Sequence, residues 1–377
     1  MKKDSKWLGM LVQLAMGACI GGFVGYNVSG MLDKQELSIV ILITAFFAFI
    51  LAFIVQVIIH EAGHLIFGLI SGYQFVSFRI GNLMWIKENN HIVLKRFSLA
   101  GTGGQCLLAP PPYQDNHYPS FLYNIGGCLF NIIISLISIL LYFLFKDNTI
   151  LSLLCLIMAL FGFYLALMNG IPLKLGGVNN DGFNALKTHK DPLSKRAFWL
   201  TLKINELNSQ NIRLKDIDDD LFLDLKPEDI QNDLTSSLLV VNFQRTLDQH
   251  DFEKAKSILH FIDENNIPIL GIHQNILTND QIFCSLVSQD NTDIQSLYTK
   301  EFKQFIKAMK KYLGVIRTQY AYELLYNKDE LQAQKHLDDF QQVIKTYPYQ
   351  CDIDSEKELM NYAYQIYRQH NTSNNKD

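Results

Sequence analysis

The apolar run from Ser38 to Ile59, and the His-Glu-Ala-Gly-His sequence at 60–64 that ends it, restrict the fold of this chain more than any other feature. The run holds only three polar residues, Ser38, Thr44 and Gln56. About 20 helical residues are enough to cross the hydrocarbon core of a bilayer. The run therefore predicts a membrane-spanning helix over residues 38–70, with the histidine motif inside it.

The motif predicts a metal site with its own base. A helix turns by about 100° per residue, so His60 and His64 project from one face and Glu61 lies beside them. Ionisable groups at membrane depth are costly and usually have a function. Two imidazoles and a neighbouring carboxylate are typical of a zinc site in which Glu61 is the catalytic general base.

The composition indicates a polytopic membrane protein. Apolar stretches long enough to span the bilayer lie at about 7–31, 38–70, 120–145 and 149–171. Lysines precede the first stretch, which predicts a cytoplasmic N-terminus, and four spans return the C-terminus to the cytoplasm. The net charge is −4 and no basic block stands out, so the sequence predicts contact with the lipid bilayer and none with nucleic acid.

A catalytic zinc needs three protein ligands and one open position, so a third ligand has to be found. The longer metzincin pattern fails, because Phe67 and Ile70 occupy its glycine and histidine positions. Glu88 is the first acid after the motif, but it lies in a predicted polar turn. Asp181 follows the fourth span and, by the predicted topology, returns to the membrane face of His60 and His64. Asp181 is the favoured ligand and Glu88 the alternative.

Two further regions have their own patterns. Residues 73–107 alternate as strands do and predict a small membrane-associated β-hairpin region, which the glycines at 101–104 and the prolines at 110–112 should end. Residues 192–370 have a helical pattern, partly similar to tetratricopeptide hairpins, and follow a membrane domain at 1–185. This all-α soluble domain would bind a protein partner or a substrate tail, or would only stabilise the enzyme.

Three motifs at membrane-helix spacing resemble the site-2 protease family of intramembrane zinc metalloproteases, over about residues 38–185. They are His60-Glu61-x-x-His64, then Gly127-Cys128-x-x-Asn131, then Asn169-x-x-Pro172 leading to Asp181-Gly182. Cys128 stands where the family usually has proline. The nearest subgroup is the sporulation type, with no PDZ insertion, a site that faces the cytosol and a soluble C-terminal domain.

The resemblance implies roles for particular residues. It makes His60, His64 and Asp181 the zinc ligands and Glu61 the catalytic acid and base. Side chains that would support the substrate or an unwound segment are Asn131, Asn169 and Pro172.

The expected protein is a cell-membrane enzyme with about four transmembrane helices, hairpins and an all-α cytoplasmic domain. It would hydrolyse a membrane-anchored regulator or peptide precursor near the cytoplasmic face. One rival is an inactive scaffold that uses its helical domain, although metal binding alone would not need Glu61. Another is a membrane-anchored zinc peptidase that acts on cytosolic peptides, with Glu88 as a ligand.

Overall fold

The computed structural model describes most of the chain, namely residues 17–18, 21–22, 25–26, 38–88, 91–98, 102–114, 118–175, 178–230, 232–269 and 271–374. The predicted first span, 7–31, lies almost wholly outside these residues. The chain forms two compact units, which are described separately. The first comprises Met1–Ile80 and Gly103–Arg196, and the second comprises Gly81–Thr102 and Ala197–Asp377.

Three long apolar helices dominate the first unit: α1 (Ser38–Ile70), α2 (Phe121–Leu144) and α3 (Thr149–Gly170). Within the described residues, these three are long and apolar enough to cross a membrane. At 1.5 Å per residue, the 33 residues of α1 extend over about 50 Å. Their outward faces carry large exposed apolar side chains, including Phe46, Phe47, Leu140, Phe143 and Leu144. Such a surface is expected of helices that face lipid.

The three helices pack closely where small residues meet. A Cβ atom on Gly63 would lie 2.4 Å from the carbonyl oxygen of Gly126, so the backbones of α1 and α2 are in direct contact there. Farther toward the start of α1, Ala48 and Ala52 pack with Leu153 and Ile157 of α3. The glycine contact brings α2 against the α1 face that carries the two histidines.

Four strands follow α1 and form a small antiparallel sheet in the order β3-β2-β1-β4. They are β1 (Gln74–Ile80), β2 (Leu83–Glu88), β3 (His91–Arg96) and β4 (Gly104–Ala109). In the β1–β4 pair Phe78 lies opposite Cys106, and in the β2–β3 pair Trp85 lies opposite Leu94.

One prediction about the strands is wrong, because the glycine segment does not end the strand region. Gly104 instead begins β4, which continues to Ala109 and stops before the prolines. A Cβ atom on Gly104 would lie 2.7 Å from Oε1 of Glu61. This glycine is therefore a point of close approach between a strand and a side chain of α1.

After α3 the chain forms a two-residue hairpin, β5 (Lys174–Leu175) and β6 (Val178–Asn179). Helix α4 (Asp181–Lys190) begins directly afterwards, and α5 (Pro192–Ser209) follows it. Asp181 is thus the first residue of a short helix outside the three apolar ones.

The described part of the second unit is helical apart from β2 and β3. Three short 3₁₀ turns lie between residues 214 and 229, and a π-helical turn covers Tyr322–Asn327. Its remaining helices are α6 (Asp233–Asp248), α7 (Phe252–Glu264), α8 (Ile272–Ser288), α9 (Ile294–Leu297), α10 (Lys300–Ala308), α11 (Leu313–Ala321), α12 (Glu330–Val343) and α13 (Gln350–Asn374).

Both segments that prompted the repeat prediction are helices, α7 and α12. Each begins after an aspartate whose side chain accepts a hydrogen bond from the first turn, Asp251 from the Lys254 N–H and Asp329 from the Gln332 N–H. The assignment of a tetratricopeptide repeat stays a prediction.

Candidate active site

Three side chains with metal-binding atoms meet at one point of the first unit. His60 and His64 project from the same face of α1, and their Nε2 atoms lie 3.2 Å apart. Asp181 reaches them from the start of α4, with its Oδ2 atom 3.0 Å from Nε2 of His60 and 3.4 Å from Nε2 of His64. All three ligand atoms lie within 4.8 Å of one another.

Second partners orient both imidazoles. Nδ1 of His60 lies 2.7 Å from Oδ1 of Asn131, and Nδ1 of His64 lies 2.7 Å from the carbonyl oxygen of Tyr123. Because both partners are acceptors, each Nδ1 carries a proton, and Nε2 is the atom through which each ring would offer a lone pair to a metal ion. Neutral histidines held in this way are the usual ligands of zinc, and their outer hydrogen bonds fix ring orientation.

These donors fit a catalytic zinc ion. Two imidazole nitrogens and one carboxylate oxygen provide three ligands and leave a fourth position open. The two histidines are each 8% exposed, so the donors are held in a largely buried setting. Gly127 of α2 leaves room for the rings, since a Cβ atom there would lie 2.6 Å from Cε1 of His60 and 2.7 Å from Nε2 of His64.

Asn180 holds the segment that delivers Asp181. Its Oδ1 atom accepts from the N–H groups of Leu173 and Phe183, both at 3.0 Å. Its Nδ2 atom donates to the carbonyl oxygens of Met168 at 2.8 Å and Ile171 at 2.6 Å. This one buried side chain therefore satisfies backbone groups freed where α3 ends, and it fixes the start of α4.

The surroundings of Asp181 favour the ionised form of its carboxyl group. Burial raises the pKa of its carboxyl group, but the imidazoles of His64 and His60 in their protonated form lower it by more, so the pKa lies well below its ordinary value. The next residue, Gly182, packs directly on the end of α3, where a Cβ atom would lie 2.0 Å from the carbonyl oxygen of Gly170. This close contact holds Asp181 against the histidines.

Glu61 lies beside the ligand group without belonging to it. Among the described residues, the possible metal ligands at this point are His60, His64 and Asp181. The Glu61 carboxylate lies against the backbone of Gly104 at the start of β4. Arg79 of β1 donates to the Gly104 carbonyl oxygen at 3.5 Å. A carboxylate next to the ligands is the arrangement that a general base requires.

The structure places the other predicted residues in different settings. Asn131 is fully buried and contacts His60. Asn169 donates to the Leu165 carbonyl oxygen within α3, and Pro172 lies exposed after the end of that helix. Glu88 forms an ion pair with Lys95 between β2 and β3.

Three supporting groups escaped the sequence reasoning, namely Gln56, Asn180 and the carbonyl of Tyr123, whereas Gly127 belonged to a predicted motif but was given no role. A signal existed for two of them. Gln56 is a rare polar residue one helical turn before His60, and Asn180 directly precedes the predicted ligand Asp181. A backbone carbonyl leaves no trace in the sequence.

A family model for peptidase family M50 matches residues 48–324. The chain belongs to peptidase family M50, the metalloproteases of the site-2 protease type. The resemblance to the site-2 protease family is thereby confirmed, whereas the sporulation-type subgroup stays a prediction. No curated protein and no solved structure matches the chain.

Proposed function

We propose that this protein is an intramembrane zinc endopeptidase that cleaves a membrane-anchored regulator or peptide precursor near the cytoplasmic face. The convergence of His60, His64 and Asp181, with both Nδ1 atoms engaged elsewhere, carries the proposal. Membership of peptidase family M50 supports it. The ion pair of Glu88 with Lys95 favours Asp181 over Glu88 as the third ligand.

The mechanism follows from the residues around the site. His60, His64 and Asp181 would hold the zinc ion, which when bound would supply a Lewis acid and a water of near-neutral pKa. Glu61 accepts a proton as water attacks the scissile carbonyl, and it returns the proton to the leaving amine. The carbonyl groups of a substrate helix are engaged in backbone hydrogen bonds. A few residues of the helix must therefore unwind before water can attack.

The metal assignment is tested by zinc binding to the purified full-length protein. About one zinc per chain is expected, and Asp181→Ala should weaken binding by more than the roughly 100-fold at the upper end of outer-shell substitutions. Glu88→Ala is the matched control, because it removes an acid held by Lys95. Full zinc in Asp181→Ala together with loss in Glu88→Ala would reverse the ligand assignment.

The enzymatic role is tested with Glu61→Gln. Glutamine keeps the size of the side chain but cannot accept a proton, so zinc binding should persist while turnover falls by roughly 10²–10⁴. The measurement compares membrane-protein fragments from cells that make the wild type, Glu61→Gln or the control Glu88→Gln. Identical fragments in all three would sink the protease proposal and favour a scaffold that acts through its helical domain.

The proposed placement is a multi-pass protein of the cell membrane with both termini in the cytoplasm. The basic N-terminus and the four apolar stretches of the sequence support it. A reporter fused after Asp377 should behave as cytoplasmic, and one inserted at 146–148 as external. The reverse pattern would place the site at the other leaflet.

The helical domain would bind a protein partner or the cytosolic tail of a substrate.

A further inference from the structure

We propose that Gln56 is a positioning residue for the metal site, which it serves by fixing the amide of Asn131 and through it the tautomer of His60. The inference rests on the proposed zinc function. Gln56 precedes His60 by four residues, so both side chains lie on one face of α1. Gln56 is fully buried, as is Asn131.

A continuous chain of hydrogen bonds joins the backbone of α3 to the metal-binding histidine. Nε2 of Gln56 donates to the carbonyl oxygen of Met158 at 2.9 Å. Nδ2 of Asn131 donates to Oε1 of Gln56 at 2.7 Å and to the Gln56 carbonyl oxygen at 3.0 Å. Oδ1 of Asn131 then accepts from Nδ1 of His60 at 2.7 Å.

The direction of this series of hydrogen bonds is set at Met158, the end that lies away from His60. A backbone carbonyl can only accept, so Met158 requires the NH₂ group of Gln56 and turns Oε1 toward Asn131. Asn131 must then point its own NH₂ group at Gln56 and its oxygen at His60. The reverse orientation of Asn131 would bring its oxygen against two other oxygens.

His60 has one protonation pattern that suits this chain. With an acceptor at Nδ1, the neutral ring carries its proton there, and Nε2 offers its lone pair beside Asp181 and His64. A reversed Asn131 would present a donor to Nδ1, and the proton would move to Nε2, which then could not bind zinc. Gln56 therefore acts through Asn131 on the one atom of His60 that the metal needs.

The surrounding helices make room for this bridge. Gly162 of α3 lies against Gln56, where a Cβ atom would be 2.7 Å from Nε2 of Gln56 and 2.0 Å from Oγ of Ser135. Ser135 is fully buried and donates to the backbone carbonyl of Asn131 at 2.7 Å. Ser135 thus lies beside Gln56 but bonds only to the backbone of Asn131 and not to its side-chain amide. Ser135→Ala is therefore a matched control.

The test compares zinc affinity in the full-length protein by competition with a chromophoric chelator. Gln56→Met keeps the length of the side chain but removes both hydrogen bonds. It should weaken zinc binding about tenfold, near the lower end for outer-shell partners, because the Gln56 backbone oxygen still accepts from Asn131. Ser135→Ala should bind zinc as the wild type does.

Two further measurements separate positioning from a general loss of structure. Bound Co²⁺ should show a changed visible spectrum in Gln56→Met and an unchanged one in Ser135→Ala. In an Asn131→Ala background, Gln56→Met should cause no further loss of affinity, because its route to His60 is already broken. If Gln56→Met does not fold, Gln56→Asn replaces it, since its shorter amide cannot bridge Met158 and Asn131.

Equal zinc affinity and equal Co²⁺ spectra in Gln56→Met, Ser135→Ala and the wild type would overturn the inference, as would a further tenfold loss in the Asn131→Ala background. Either result leaves the proposed function standing. That function fails separately if the wild type binds no zinc or if Glu61→Gln leaves the membrane fragments unchanged.

Discussion

The two compact units bury polar groups in different ways. Below the histidines, the interior of the apolar helices contains neutral amides and hydroxyls, of which Gln56, Asn131 and Ser135 are all fully buried. The second, helical unit contains ions in close pairs: buried Arg317 lies 2.5 Å from buried Asp280, and partly buried Arg213 lies 2.5 Å from buried Asp248. The interior of the apolar helices therefore holds neutral hydrogen-bonded groups apart from the proposed site, whereas the helical unit also holds charge pairs.

The difference follows from what surrounds each interior. An unpaired charge at membrane depth costs several kcal/mol, whereas neutral amides can satisfy one another. The negatively charged member of the proposed metal site accordingly comes from outside the apolar helices, because Asp181 begins α4. The ionisable side chains of α1 are His60, Glu61 and His64, and all three belong to or lie beside the proposed site. Within the three apolar helices, charge is thus confined to the proposed site.

The largest expected effect is a loss of stability, and it tests the charge pairs of the helical unit. Arg317 is 2% exposed, donates to Asp280 and pairs with Glu356 at 3.3 Å. Arg317→Met leaves two buried acids without their cation, so the helical unit should lose about 3–5 kcal/mol of unfolding free energy. Denaturant-dependent hydrogen exchange of residues 272–374 in the full-length protein measures the loss.

Two other variants are compared with Arg317→Met. Lys256→Met removes a cation from a surface pair with Glu253 and should change stability by less than about 1 kcal/mol. Gln56→Met, the same kind of replacement in the other interior, should affect zinc affinity more than stability. A stability loss in Arg317→Met no larger than that in Lys256→Met would contradict the contrast between the two interiors.

A smaller effect is expected where the neutral interior meets the metal site. Gly127→Ala would bring a methyl group within 2.7 Å of both imidazoles, and the rings would have to move. We expect zinc binding to weaken by about 1–3 kcal/mol, the usual cost of overpacking. The matched control is Gly170→Ala, since a Cβ atom there would lie 3.6 Å from Sγ of Cys128, an ordinary contact. Equal zinc affinity in both variants would show that Gly127 does not limit the site.

The sequence predicted those parts of the molecule that are periodic or that carry a motif. The later three apolar stretches are helices, because each contains more than the roughly 20 residues that a span requires. The pair His60 and His64 was predictable from helical geometry alone. Asp181 was predictable as a candidate because the topology returns it to the same membrane face, and the structure brings all three together.

Close approaches and backbone partners were not predictable in the same way. Gly104 was interpreted as the end of the strand region, yet it begins β4, and Glu61 occupies the space that a side chain at this position would need. Such a contact joins residues 43 positions apart and has no local pattern. The carbonyl that orients His64 belongs to Tyr123, whose side chain is irrelevant to the bond. Both features depend on how the elements pack and not on residue type.

The smallest expected effect is on the pH dependence of stability, and it arises from two acids of the helical unit. Burial raises the pKa of Glu356 to about 7, although Arg317 opposes the change, and burial raises the pKa of Asp352 to about 6. Asp280 and Asp248 add to the rise for Glu356. A carboxyl group whose pKa is higher in the folded state binds its proton more tightly there, so protonation favours folding. The contribution is present below about pH 4.5, the ordinary value for Glu, and is lost as the pH rises to about 7.

Glu356→Gln should remove this part of the pH dependence, because glutamine is neutral throughout. Relative to the wild type, the variant should gain about 1 kcal/mol or more of unfolding free energy between pH 4.5 and pH 7.5, since each unit of pKa is worth about 1.4 kcal/mol. Hydrogen exchange of residues 350–374, corrected for intrinsic rates, follows α13 across this range. Glu358→Gln serves as control, because Arg213 lowers the pKa of Glu358 by more than burial raises it, so its contribution changes below pH 4.5 and should leave this range nearly unaffected. Parallel stability curves for Glu356→Gln and the wild type would mean that Arg317 keeps Glu356 ionised, so that the helical interior holds its charges at every pH tested.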